Sequence, residues 1–220
     1  MSQSTKLRAR VPWVSLSIIW ICILALPFRA PLSIVPAFVT DAFTSHWNYI
    51  PLAMLSFVTY MFQHAGFSHM AYNIVPFLLL GAALEEAIGH RSFALFVAVT
   101  GIGAGFVQYA VMPEEVLGIV GLSGVVMGLL AVITLAAPRC TLFSFRLFGR
   151  AIVARVYQMT LLILAMQLHG FFTSDTNVQD LTAYWIHFGG AAIAVALWYF
   201  WLGDKIEAYS KTPRGAKLFA

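Results

Sequence analysis

The sequence predicts an all-α membrane protein, a bundle of six transmembrane helices with a large first outer loop, and three observations lead there. Of its 220 residues 60% are hydrophobic and 10% charged, at a mean hydropathy of +0.83, whereas a soluble domain carries about 25% charged residues. Six apolar runs, at residues 11–28, 69–88, 92–111, 123–137, 156–172 and 183–202, approach or reach the roughly 20 residues that cross a hydrocarbon core of about 30 Å. Charge then orients them. With the N-terminus cytoplasmic, every lysine and arginine except Arg29 falls on the inner side, while Asp41, Glu114, Glu115, Asp175 and Asp180 fall outside. That asymmetry obeys the positive-inside rule and requires an even number of spans. The net charge of +4 follows from topology, so no nucleic-acid partner is inferred from it.

In chain order, residues 1–10 form a basic cytoplasmic tail. The first span lacks a small-x-small cleavage site and is expected to be retained rather than removed as a signal peptide. Cys22 lies inside it and Cys140 in an inner loop, which argues against a disulfide framework. The outer loop to Phe67 is rich in proline and aromatics, as suits a membrane interface; within it, residues 51–63 are too few for a span and read as an interfacial or re-entrant piece. Gly81, Glu85 and Gly89 recur at intervals of four, a close-packing stripe with a carboxylate near its inner end, for which a structural role is expected. Residues 138–155 form a basic inner loop, and 205–220 a second basic tail.

The chemistry centres on Gly121-Leu122-Ser123-Gly124. A serine opening a helix after a glycine-bearing turn sits beside unpaired backbone N–H groups that can face a developing anion, although glycine and serine also serve plain close packing between membrane helices. Depth separates the two readings. At 1.5 Å per residue, Ser123 and His187 each lie about 22 Å above the inner boundary and Asn73 about 24 Å. Three polar groups therefore share one level, where polar residues are costly and mark function. The short fourth run implies that residues 118–122 enter the bilayer as irregular backbone, tolerated where it lines a wet cavity. Gly124 with Gly128, and Gly190 with Ala194, supply small-xxx-small faces that would let His187 reach Ser123.

These residues together resemble a rhomboid intramembrane serine protease. The matching pieces are His64-Ala-Gly-Phe-Ser-His69-x-x-x-Asn73, Gly81-x-x-x-Glu85-x-x-x-Gly89, Gly121-Leu-Ser123-Gly124 and His187-x-x-Gly190, in the family's order. The resemblance implies that residues 11–204 form a six-helix rhomboid-like domain. It implies Ser123 as nucleophile and His187 as general base, with His69, Asn73 and the Ser123 N–H as an oxyanion hole and His64, Gly81, Glu85, Gly89, Gly121, Gly124 and Gly190 as structural motif residues. It further implies single-span membrane proteins as substrates, no metal and no cofactor, and an enzyme in a bacterial plasma membrane whose site opens outward. Three positions depart from the family pattern. Trp47 is followed by Asn48 rather than arginine, Met127 stands where an aromatic is common, and Ala194 stands where glycine is common.

Rival classes remain. A zinc protease would place His-Glu-x-x-His on one helix, but His64 and His69 are five apart with no glutamate between. A non-catalytic rhomboid-like binding or quality-control protein typically lacks the serine or the histidine. A transporter or channel would carry charges along a mid-membrane path.

Overall fold

The computed structural model describes residues 11–28, 33–34, 36–114, 116, 118–147, 150–173 and 183–219. The N-terminal tail, Arg29, Glu115, Asp175 and Asp180 lie outside the described residues. The chain is mostly helical. Four helices are long and apolar enough to cross a membrane: α4 (Phe67–Ile88), α5 (His90–Val111), α7 (Val156–Thr173) and α8 (Tyr184–Leu197), the last continuing without a break to Ser210. Two further apolar helices, α1 (Trp13–Ala25) and α6 (Ser123–Ala136), have 13 and 14 residues, below the roughly 20 of a full span.

Between α1 and α4 lie two shorter helices, α2 (Pro36–Thr44) and α3 (Ile50–Thr59), the latter running into a 3-10 turn at Tyr60–Phe62. This is the piece too short to span. Its inner face buries Ala53, Phe57, Tyr60 and Met61. Phe57 stacks on Phe106 of α5 at 4.2 Å, and the Tyr60 hydroxyl donates to the Gly101 carbonyl at 2.8 Å, satisfying a phenol that burial would otherwise leave unpaired.

Glu85 ties α1 to α4. Its carboxylate accepts hydrogen bonds from the N–H groups of Val14 and Ser15, both 2.8 Å, and from the Ser15 hydroxyl at 2.6 Å. The first N–H groups of a helix have no intrahelical partner, and an anion there also meets the positive end of the helix dipole. His90 Nδ1 approaches the same carboxylate at 2.6 Å. Gly81, one turn away, leaves space that a Cβ would take from Phe93 and the Ser15 hydroxyl, at 3.1 and 3.3 Å. Gly89 departs from the expected stripe. It lies past the end of α4 with φ 82°, a left-handed conformation that favours glycine, and so makes the α4–α5 turn rather than a helical contact.

The centre of the bundle is the contact of α6 with α8. A Cβ on Gly190 would collide with the backbone carbonyl of Gly124, and one on Gly128 would meet the Thr100 methyl at 2.6 Å and the Gly190 carbonyl at 3.1 Å. The two helices therefore pack backbone to backbone. By contrast, α7 buries only Val156 among its described residues. It is held near one end by the Thr160 hydroxyl against that of Thr134 on α6, at 2.7 Å. Near its other end, Phe171 meets the rings of Tyr184, Trp185 and Phe188 edge-on at 5.5 to 5.9 Å.

An all-α chain is not the complete description. The basic segment after α6 folds into an antiparallel hairpin, β1 (Thr141–Leu147) and β2 (Arg150–Arg155). Its runs of β-branched and aromatic residues, Thr-Leu-Phe-Ser-Phe and Ile-Val, are strand formers that periodicity at helical spacing does not reveal. The segment after Leu202 is also structured, as α9 (Gly203–Ser210) and α10 (Pro213–Leu218). It docks on α4, where Glu86 pairs with Arg214 and accepts the Tyr209 hydroxyl at 2.7 Å.

Removing the Glu85 carboxylate leaves the first N–H groups of α1 unsatisfied in a buried site, a loss of about 1–3 kcal/mol per group. Glu85→Ala is expected to lower the detergent-solubilised melting temperature and to speed maleimide labelling of Cys22, which is buried in the α1 interface. An unchanged labelling rate would show that α1 docks without the carboxylate.

Candidate active site

Ser123 is the first residue of α6, and the turn before it is shaped by Gly121 at φ 120°, a conformation that L side chains rarely adopt. Three contacts hold that turn in place. The Gly121 N–H donates to the Tyr60 carbonyl at 2.9 Å, and Ile119 exchanges both backbone hydrogen bonds with Ile34 at 2.7 and 3.1 Å. The segment before α6 is thus irregular backbone, paired at Ile119 with Ile34 and at Gly121 with Tyr60 at the end of α3, as burial requires.

His187, on the first turn of α8, faces Ser123 across the glycine contact, with Nε2 2.8 Å from the serine Oγ. Its Nδ1 lies 3.0 Å from Oε1 of Gln167 on α7. The Ile186 N–H next to it donates to the side chain of Gln108 at 3.2 Å, which anchors the start of α8 on α5. A neutral imidazole has one N–H. With that proton on Nδ1, directed at Gln167, Nε2 is free to accept from the serine hydroxyl.

His69 and Asn73 lie one turn apart on α4, beside Gly121. A Cβ at Gly121 would meet His69 Nε2 at 3.0 Å and Asn73 Nδ2 at 3.7 Å. Asn73 donates one N–H to the His69 carbonyl at 2.9 Å; an amide NH2 has a second donor to offer. The His69 Nδ1 accepts from the Ala65 N–H at 3.3 Å, so its proton belongs on Nε2, the nitrogen that faces Gly121. His64 is buried and edge-on to His69, 5.3 Å between ring centroids. Glu85, Gly81 and Gly89 stand apart from this cluster, at the far end of α4. Trp47 is largely exposed and touches none of these groups.

Ser123, His187, His69, Asn73 and Gln167 line one cavity of about 680 Å³, walled by α4, residues 118–120, α6 and α7. Its remaining lining is mostly apolar, with Val75, Leu79, Val126, Met127, Met159 and Ile163 among it. Met127 fills part of the wall where the family pattern has an aromatic. Sequence reasoning missed Gln167: it sits in an ordinary apolar span with no motif around it, and the one signal was an uncharged polar residue at membrane depth.

A serine hydroxyl hydrogen-bonded to a histidine, at the end of a helix and inside an apolar bundle, defines an integral membrane protein with a serine–histidine pair. Residues 51–203 match the Rhomboid domain family model, and the chain belongs to the rhomboid family. It is 29% identical over 161 residues to "Rhomboid-like protein 11, chloroplastic" of Arabidopsis thaliana, covering 72% of this chain and 55% of that protein. It is 31% identical over 122 residues to "Putative rhomboid protease YdcA" of Bacillus subtilis, covering 56% of this chain and 57% of that one. The chain thus spans little more than half the length of these curated relatives.

Gly121→Ala introduces both backbone strain, of order 1–3 kcal/mol, and a methyl group pressed against the His69 ring. We expect folded Gly121→Ala protein to react with a fluorophosphonate probe at least about tenfold more slowly than wild type, because the strained turn displaces Ser123 from its place beside His187. Wild-type labelling kinetics would show that the turn tolerates another conformation.

Proposed function

We propose that this protein is an intramembrane serine endopeptidase that cuts single-span membrane proteins near their outer ends, using Ser123 and His187 as a dyad. The observation that carries this reading is the 2.8 Å approach of Ser123 Oγ to His187 Nε2 inside a cavity at membrane depth. Serine is a weak nucleophile until an adjacent base accepts its proton. His187 takes that proton as Oγ attacks the scissile carbonyl carbon, and returns it to the leaving amine; a water then releases the acyl group by the same exchange in reverse. The tetrahedral oxyanion is met by the Ser123 N–H, the second Asn73 N–H and His69 Nε2–H, donors placed before the charge forms.

In this reading α1 and α6 complete six spans. Of these, α6 need not reach both surfaces, because residues 118–120 before it line the cavity as backbone. Both ends of the chain lie on the inner side of a bacterial plasma membrane in this reading, an orientation that the basic residues of the hairpin and of α9–α10 support. The substrate enters sideways, between α4 and the sparsely packed α7, whose residues Met159, Ile163 and Gln167 form the cavity wall. Its scissile segment must unwind before Oγ can reach a carbonyl, since helical carbonyls are already bonded and unsatisfied groups in lipid cost several kcal/mol each.

Ser123→Ala and His187→Ala are each expected to abolish both fluorophosphonate labelling and cleavage of a single-span reporter while leaving the melting temperature within about 2 °C of wild type, because neither removes a large core side chain. Labelling that persists in Ser123→Ala would place the nucleophile elsewhere. No labelling of folded wild-type protein would favour a non-catalytic, membrane-protein-binding role.

Asn73→Ala should lower kcat by about 10²–10³-fold with little change in KM, the signature of an interaction made only in the transition state. A change confined to KM would remove Asn73 from the oxyanion hole.

A further inference from the structure

We infer that Gln167 is a positioning residue for His187, taking the place of the acid in a catalytic triad and making the reactive tautomer depend on where α7 sits. The inference rests on the dyad reading above. His187 can act as base only if its single proton is on Nδ1, and a buried N–H without an acceptor is unfavourable. The ionisable side chains of the cavity are His69, Tyr72 and His187, with no carboxylate among its lining. Ser123 faces the ring from α6, and His69, on α4, is the titratable group that shares the cavity with it; from α5, the neutral Gln108 side chain accepts from the Ile186 N–H. Gln167 Oε1, 3.0 Å from Nδ1, is thus the acceptor that holds the proton there.

Two properties distinguish this arrangement from a carboxylate orienter. An amide can turn and present its NH2 group, which would support the unreactive tautomer; a carboxylate cannot. Gln167 also belongs to the helix with the least burial, tied to its neighbours mainly at Thr160 and Phe171. The dyad is therefore set only while α7 stays against α8, and a displaced α7 leaves Nδ1 without its acceptor.

The test uses full-length protein in nanodiscs, labelled with 15N-histidine, and compares wild type with Gln167→Leu, Gln167→Glu and Phe171→Ala. His187→Ala assigns the His187 signals, and a single-span reporter supplies kcat, KM and the pH–rate profile. In wild type the His187 Nδ1 should carry the proton. Gln167→Leu should reduce that population and lower kcat by about 10–100-fold, the range seen when a metal-bound histidine loses its hydrogen-bonded partner, with KM nearly unchanged. Its acid limb should move to lower pH, because the imidazolium has lost an acceptor. Gln167→Glu should move the acid limb to higher pH and restore kcat above the limb, because a carboxylate stabilises the imidazolium. Phe171→Ala, which touches neither dyad member, should weaken the Nδ1–H signal in the same direction. Wild-type kcat and an unmoved pH profile in Gln167→Leu, or an effect on KM alone, would overturn the inference. If Gln167→Leu alters the tautomer but the wild-type protein neither labels at Ser123 nor cuts the reporter, the protease reading fails together with the positioning role. If wild type cuts normally and the tautomer is indifferent to Gln167, this inference alone fails.

Discussion

The arrangement depends on a single steric allowance: at Gly190, α8 has no side chain, so its backbone rests against the carbonyl of Gly124 on α6. One turn earlier on α8 stands His187, and one residue earlier on α6 stands Ser123, so the closeness of the two backbones sets the closeness of the two side chains. Any Cβ at Gly190 would push the helices apart, and a serine–histidine hydrogen bond of 2.8 Å has little slack before it exceeds normal geometry. Gly128 continues the same seam with Thr100 and Ala194. In lipid, where there is no water to drive apolar faces together, such seams of small residues are how helices associate closely.

The second organising demand is that no polar backbone go unpaired. It explains why the irregular segment before α6 is braced by Tyr60 and Ile34, and why a buried carboxylate, Glu85, closes the start of α1. It also accounts for a division of labour. The helices that carry Ser123 and His187 are locked by backbone contacts, while the helix that carries Gln167 is held by a hydroxyl pair and a few ring contacts.

Much of this was legible in the sequence because depth can be counted. Ser123, Asn73 and His187 fall at one level by helical rise alone, and the structure brings all three to one cavity. Four of the six expected spans are helices of spanning length; the other two are apolar but shorter, and for α6 the reason is that the backbone before it lines the cavity instead of continuing the helix. Gly89 was misplaced because a glycine one turn below Glu85 looks the same whether it packs a helix face or ends the helix; only its positive φ distinguishes the two. The hairpin escaped because its three arginines read as an inner loop and its strand-forming residues leave no signal at helical spacing. Gln167 could not be found by spacing, since its partner is 20 positions away on another helix and hydrogen-bond partnership leaves no periodic trace.

The hydroxyl pair between Thr134 and Thr160 also behaves as a mechanical fulcrum. Gln167 lies seven residues along α7 from Thr160, a lever arm of about 10 Å at 1.5 Å per residue. A tilt of α7 by about 6° about that point carries the Gln167 amide roughly 1 Å, enough to stretch a 3.0 Å hydrogen bond beyond any useful length. A wedge the size of a substrate helix, about 10 Å across, would demand a far larger tilt. On the proposed function, admission of a substrate and reset of His187 would be successive strokes of one lever, with the helix swinging back over the unwound segment before the first bond is cut.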